Sequence, residues 1–322
     1  MRILITGGCG FIGTRLTNAL LANGHEVVLF DKTPSTTYRD RLVLGDVRDK
    51  EALVRALSGI DVCYHLAAEH ADDVRPESLY DEVNIGGTER LTEAATTCGV
   101  RRIVFTSTVA LYGLNVGIPS EDSASQPFNR YGASKYQAEQ VLRNWVEQDP
   151  DRTLTILRPC VIFGEGNRGN VYNLIRQVQS GRFVMVGQGG NRKSVGYVGN
   201  IAEFLARCAT TAARVQVFNY ADQPTLSTEE LIITIRSALG RSATIPWRLP
   251  YPVGLAAGMI CDELSRLMGK QLPVSAVRVR KFCADTTIDT TRLEESGFVR
   301  PFTLAKGIER TITHEGWCSS CG

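Results

Sequence analysis

A short apolar run, Arg2-Ile3-Leu4-Ile5, leads directly into Thr6-Gly7-Gly8-Cys9-Gly10-Phe11-Ile12-Gly13. No other stretch limits the fold so tightly. Glycines at 7, 10 and 13 allow a sharp passage from strand to helix and a close backbone approach to a ligand. The helix start then offers unpaired N–H groups and a partial positive charge to a pyrophosphate. Gly7, Gly10, Phe11, Ile12 and Gly13 are therefore candidate dinucleotide-binding residues.

The first half continues in the same style. Ile3–Thr6, Glu26–Phe30, Leu42–Leu44, Asp61–Leu66, Arg102–Thr106 and Thr153–Leu157 read as buried strands. Helical patterns begin near Phe11, Lys50, Ser78, Arg130 and Asn170. Strand–helix alternation predicts an α/β fold with a parallel sheet covered on both faces, doubly wound through right-handed crossovers. Beyond Arg158 the pattern loosens into helices near Ile201–Thr211 and Thr228–Leu239 among glycine-rich loops. The expected division is a Rossmann-type cofactor domain over 1–158, with later segments returning to it, and a smaller, mainly substrate-binding domain over 159–322.

With 322 residues, 22% of them charged, and a formal net charge of +2, nothing points to nucleic acid. No stretch approaches the roughly 18 apolar residues of a membrane span, and no leader precedes the first strand, so a cytoplasmic protein is expected. The nine cysteines read as reduced thiols. Cys318-Ser319-Ser320-Cys321 has the spacing of a redox pair or half a zinc site, but with no second ligand pair and at a chain end it reads as incidental, and no metal is expected.

Eighteen residues after Gly13 the second strand meets Asp31, whose carboxylate can accept both ribose hydroxyls and would repel a 2′-phosphate. This favours NAD, while the adjacent Lys32 leaves NADP open. Asp46-Val47 follows the third strand at the expected adenine position. Leu66-Ala67-Ala68, after the fourth, reads equally as cofactor contact or as plain packing.

Tyr131 and Lys135 stand at i and i+4, hence on one helix face. A phenol with a reference pKa of about 10 is a poor base at neutral pH. A neighbouring ammonium and a positive nicotinamide are expected to favour phenolate, which can take a proton from a sugar hydroxyl as hydride leaves its carbon. Thr108, closing Thr106-Ser107-Thr108 after the fifth strand, is placed to hold that hydroxyl.

These residues resemble the extended short-chain dehydrogenase/reductase superfamily, in its nucleotide-sugar epimerase/dehydratase branch. The pattern of Thr6–Gly13, Asp31, Asp46-Val47, Asn84, Thr108, Tyr131 and Lys135 carries the resemblance over nearly the whole chain. It implies bound NAD, Lys135 also on the nicotinamide ribose, and Asn84 and Pro159 among the cofactor contacts. Longer stretches, among them Ala67-Ala68-Glu69-His70 with Asp72-Asp73-Val74, Asn167-Arg168-Gly169-Asn170 and Tyr197-Val198-Gly199-Asn200, are similar to members that act on N-acetylglucosamine attached to diphospho-undecaprenol. That similarity implies C4 epimerisation to N-acetylgalactosamine through a 4-keto sugar, for O-antigen assembly. Members acting on soluble UDP-galactose usually carry an asparagine where Val161 stands, and an Arg-x-Gly-Asp motif where Arg278, Arg280 and Lys281 lie.

Glu69, Thr108, Arg168 and Asn170 are the sugar-side candidates. Lys193, Arg192 and Arg278 are candidates for the diphosphate, with a surface ion-pair role the alternative for each. The apolar segment from Leu249 to Met268, followed by cations that include Lys270, reads either as a membrane-surface contact or as a buried or dimer helix. A homodimer is expected by family analogy. Competing activities are a soluble UDP-sugar 4-epimerase and a 4-keto-sugar reductase; Val109 and Ala110 after Thr108 argue against a dehydratase, which carries an acidic pair there.

Overall fold

The structure is a computed structural model that describes residues 1–35, 37–71, 74–113, 116–211, 213–268 and 275–317. Asp72, Asp73, Lys270 and the Cys318/Cys321 pair lie outside them. The chain divides into two compact units.

The first unit comprises Met1–Cys160, Val198–Ala221 and Ile288–Pro301. Its strands are β1 (Arg2–Thr6), β2 (Glu26–Asp31), β3 (Leu42–Leu44), β4 (Val62–His65), β5 (Arg102–Thr106) and β6 (Thr153–Pro159). A further strand, Val215–Tyr220, pairs with β6 and was not foreseen. The sheet order is Val215–Tyr220, β6, β5, β4, β1, β2, β3, and every pairing is parallel.

Helices α1 (Phe11–Ala22), α2 (Lys50–Leu57), α3 (Gly87–Cys98) and α4 (Arg130–Glu147) alternate with the strands. The helix expected near Ser78 starts there, with Ser78 and Leu79 helical, and passes through a wide turn over Tyr80–Gly86 into α3. Leu4, Cys63, Ile103, Phe105 and Leu154 from the sheet pack with Leu53 of α2, Leu91 of α3 and Leu142 and Trp145 of α4. Helix α1 packs instead with the helix Val198–Arg207. The doubly wound Rossmann-type sheet expected from the sequence is thus present.

Strand order reverses between β1 and β4, where Thr6 stands opposite His65. Such a switch point opens a crevice at the carboxyl ends of the strands, the usual ligand position in these sheets.

The second unit comprises Val161–Tyr197, Asp222–Thr287 and the chain from Phe302 on. Three two-stranded ladders join Val161–Phe163 to Val195–Tyr197, Arg192–Lys193 to Leu226–Ser227, and Met185–Val186 to Arg248–Leu249. Around them lie the helices Asn170–Gln179, Thr228–Ala238, Tyr251–Met268, Ala276–Cys283 and Leu304–His314.

Candidate active site

Two glycines of the turn, Gly7 and Gly13, leave no room for a side chain. Gly7 has φ +71°, and a Cβ there would meet the Ala67 amide nitrogen at 2.7 Å. At Gly13 a Cβ would lie 2.5 Å from the Gly7 carbonyl oxygen. The turn, the start of α1 and the loop after β4 are therefore pressed together at the switch point.

Two helices of the first unit are capped by side chains. Asp49 caps α2 by accepting from Ala52 N–H, and Asn129 caps α4 by accepting from Gly132 N–H. Helix α1, with Gly10 at its N-cap, has no side-chain cap and no acidic residue in its first turn. Its N–H groups, near Phe11 and Ile12, keep their affinity for an anion.

Asp31 ends β2 and accepts Cys9 N–H at 3.0 Å and Thr33 N–H at 2.9 Å, one on each oxygen. A carboxylate oxygen has a second lone pair, so both still accept a ribose hydroxyl. Lys32 pairs with Glu69 at 2.6 Å, which joins a cofactor candidate to a sugar candidate. Asp46 is gripped two-pronged by Arg48 at 3.0 and 2.8 Å, and this ion pair holds its carboxyl below the usual range. Val47 is buried beneath Gly87.

Leu66, Ala67 and Ala68 line the loop after β4 and stay partly exposed, whereas Pro159 is buried at the end of β6. At the end of β5, the buried hydroxyls of Thr106 and Ser107 find no hydrogen-bond partner among the described residues. Buried polar groups of this kind are costly unless something bonds to them. With the glycine cradle, the uncapped α1 and the Asp31 carboxylate, they form a donor and acceptor set that fits NAD.

Asn84 joins several elements of the site. Its amide accepts Glu69 N–H at 2.8 Å and donates to Glu69 O at 3.0 Å and Ser134 Oγ at 2.9 Å. Buried in the wide turn before α3, it ties the loop after β4 to α4. These bonds hold its neighbours in place.

At the reacting centre, Asn129 fixes the first turn of α4 and so the position of Tyr131. Part of Tyr131 remains accessible. Burial nevertheless pushes its phenol up to about 12, against a hydrogen bond with the Thr108 hydroxyl that lowers it. Lys135 is fully buried, with Nζ 4.0 Å above the Phe105 ring, and burial drives it down to about 7 despite the Glu139 carboxylate. Desolvation dominates at both groups.

Two supporting groups escaped the sequence reading. His65 is buried, bonded through Nδ1 to Thr6 Oγ1 at 2.7 Å and through Nε2 to Thr88 Oγ1 at 3.0 Å. Burial, then the Lys135 charge, bring it down to about 3, so it stays neutral. The second is Glu139, four residues beyond Lys135, which pairs with Arg158. The i+4 ladder on α4 runs one step further than the Tyr131–Lys135 pair, and that spacing was legible.

In the second unit, Arg168 pairs with Glu315 at 2.5 Å and lies 4.4 Å over the Tyr172 ring. Asn170 opens the helix Asn170–Gln179. Lys193 donates to the carbonyls of Lys281 and Ala284 at 2.9 and 2.5 Å, and Arg192 to that of Thr225 at 2.6 Å. Arg278 is exposed on the helix Ala276–Cys283.

Over residues 3–221 the chain matches the NAD dependent epimerase/dehydratase family. It is 48% identical to the N-acetyl-alpha-D-glucosaminyl-diphospho-ditrans,octacis-undecaprenol 4-epimerase of Escherichia coli O157:H7, across 97% of this chain and 95% of that one. It is 29% identical to a UDP-glucose 4-epimerase of Vibrio cholerae, across 96% and 94%. In three dimensions it is similar to the UDP-glucose 4-epimerase of Thermus thermophilus solved with NAD, with TM-score 0.74, 24% identity and 98% of each chain covered. The profile spans most of the chain, and the glycine cradle, Asp31, Thr108, Tyr131 and Lys135 stand in the matched part: this chain belongs to the NAD dependent epimerase/dehydratase family.

Proposed function

We propose that this protein interconverts N-acetylglucosamine and N-acetylgalactosamine on diphospho-undecaprenol by C4 epimerisation, in the assembly of O-antigen or a related surface polysaccharide. The observation that carries the reading is 48% identity, over nearly the full length of both chains, to an enzyme named for that epimerisation.

When bound, NAD supplies a reversible hydride acceptor beside C4 and a positive charge near the phenol. Tyr131, as phenolate, takes the proton of the C4 hydroxyl, and Thr108 holds that hydroxyl in line. Lys135 binds the nicotinamide ribose and supplies the local positive charge when protonated. The 4-keto sugar turns over in the site, and Tyr131 returns the proton to the C4 oxygen on the opposite face. Net redox is zero, so no cofactor is consumed.

Glu69, Arg168, Asn170, Lys193 and Arg278 are assigned to sugar and diphosphate recognition. An ammonium has three donors, and the two carbonyls on Lys193 leave one for a phosphate oxygen. In our reading the enzyme is a cytoplasmic homodimer, peripheral on the inner face of the membrane where its substrate resides.

The test offers lipid-linked and UDP-linked N-acetylglucosamine side by side, with no added cofactor. The galacto epimer is expected on the lipid-linked sugar. Epimerisation of the UDP-linked sugar alone would replace this reading with a soluble UDP-sugar 4-epimerase. A stoichiometric demand for reduced cofactor would make the protein a 4-keto-sugar reductase.

A further inference from the structure

The helix Tyr251–Met268 is built inside out. Its buried residues are Gly254 and Gly258. A Cβ on Gly254 would lie 2.5 Å from Val186 Cγ1, and one on Gly258 2.7 Å from the Ala276 nitrogen. The large apolar side chains face outward instead: Val253 is 50% exposed, Ile260 62%, Leu264 44% and Leu267 75%. Their spacing places these four on one stripe, with exposed Ala256 and Ala257 between the first two. Met259 and Met268, 50% and 53% exposed, flank it. An ordinary surface helix turns such a stripe toward the core, and an apolar patch left in water marks an interaction surface.

Charge identifies the partner. Residues 241–281 carry seven Lys/Arg against Asp262 and Glu263, a net +5. The whole chain is only +2, so the remainder is net negative at −3. Arg266 lies on the helix itself, and Arg278, Arg280 and Lys281 are exposed on the helix packed against it. A second copy meeting this surface through the same face would set two strongly positive segments against each other. An anionic bilayer offers apolar depth and opposite charge together. No helix among the described residues is long and apolar enough to cross a membrane, so the contact is a docking in the plane of the surface.

We infer that Tyr251–Met268 lies along an anionic membrane surface, with Val253, Ile260, Leu264 and Leu267 inserted among the acyl chains and the neighbouring cations on the headgroups. The inference deepens the lipid-linked reading above and rests on it for its biological sense. Vesicle binding tests it separately.

The experiment uses the full NAD-containing protein, sedimented with phosphatidylcholine vesicles that contain or lack phosphatidylglycerol. The expected result is binding to the anionic vesicles that weakens as salt is raised. An Ile260→Ser/Leu264→Ser/Leu267→Ser variant should lose at least about tenfold in partitioning. All three side chains are solvent-exposed, so its fold and its rate on a short-chain, water-soluble diphosphate-linked sugar should match those of the parent. On substrate embedded in vesicles its KM should rise.

A milder variant, Arg266→Gln/Arg280→Gln, should weaken binding to anionic vesicles only. Undiminished binding by the folded serine variant would overturn the inference, as would equal binding of the parent to neutral and anionic vesicles. Loss of self-association in that variant, without vesicle binding by the parent, would assign the face to a second copy of the chain. Activity confined to UDP-linked sugars would defeat the functional reading while leaving a positive vesicle result standing.

Discussion

Glu139 and Arg158 meet fork to fork inside the protein, Arg158 Nε donating to Glu139 Oε1 at 2.9 Å and Nη2 to Oε2 at 2.6 Å. The guanidinium also donates to Tyr112 Oη at 2.9 Å and to the Glu121 carbonyl at 3.1 Å, and Tyr112 donates onward to Asn219 Oδ1 at 2.6 Å. This network ties α4, with Tyr131 and Lys135 upstream, to β6 and to the strand Val215–Tyr220. It makes the catalytic helix part of the sheet's frame.

Removing one partner of such a pair leaves an uncompensated buried charge. Glu139→Gln should therefore cost about 3–5 kcal/mol of stability, while Glu139→Leu with Arg158→Met should recover much of it. Denaturant unfolding of the single and double variants checks this. A double variant no more stable than Glu139→Gln would contradict it.

Tyr131→Phe removes the proton acceptor but neither the fold nor the glycine cradle. Turnover should fall by about 10²–10⁴, with the NAD content of the purified protein unchanged. The paired measurement is initial rate together with NAD released on denaturation.

The two depressed bases give stability a specific pH dependence in protein freed of NAD. Lys135 titrates near 7 in the folded state against 10.5 for the free side chain. Between those values the unfolded chain binds the extra proton, so stability rises with pH across that window. His65, near 3 against 6.5, makes stability fall as pH drops from 6.5 toward 3, by the same sign. Thermal unfolding from pH 7 to 10 should show a rise that Lys135→Met flattens, and an acid-side loss that the lysine variant retains.

At the cofactor corner, Gly13→Ala drives a methyl group into the Gly7 carbonyl oxygen at 2.5 Å. Overpacking of this kind costs about 1–3 kcal/mol, and here it falls on the turn itself. NAD affinity should drop by about tenfold or more, and isothermal titration of NAD into the stripped variant measures it.

Much of this arrangement was legible because it is local. The glycine turn, the apolar strands and the i+4 pair on α4 each depend on a few neighbouring residues. The strand Val215–Tyr220 escaped because it is an edge strand, half exposed at its start and carrying Gln216 and Asn219. Asn219 is tolerated there only because its amide is bonded to Pro119 O and Asp289 O, 100 and 70 residues away. His65 reads in the sequence as one more strand residue, since its partners Thr6 and Thr88 arrive from other elements. The burial of Tyr131 and Lys135 was not legible for a related reason. Charge can be read from residue type, but the burial that outweighs it is a property of the folded chain.

The account turns on internal return of hydrogen at C4. Lipid-linked N-acetylglucosamine deuterated at C4, converted without added cofactor, should yield N-acetylgalactosamine that keeps its deuterium and takes up none of the solvent's hydrogen at that carbon. Loss of the label to solvent, or conversion at the normal rate by Tyr131→Phe, would contradict a mechanism in which this tyrosine exchanges the hydroxyl proton while the hydride stays within the site.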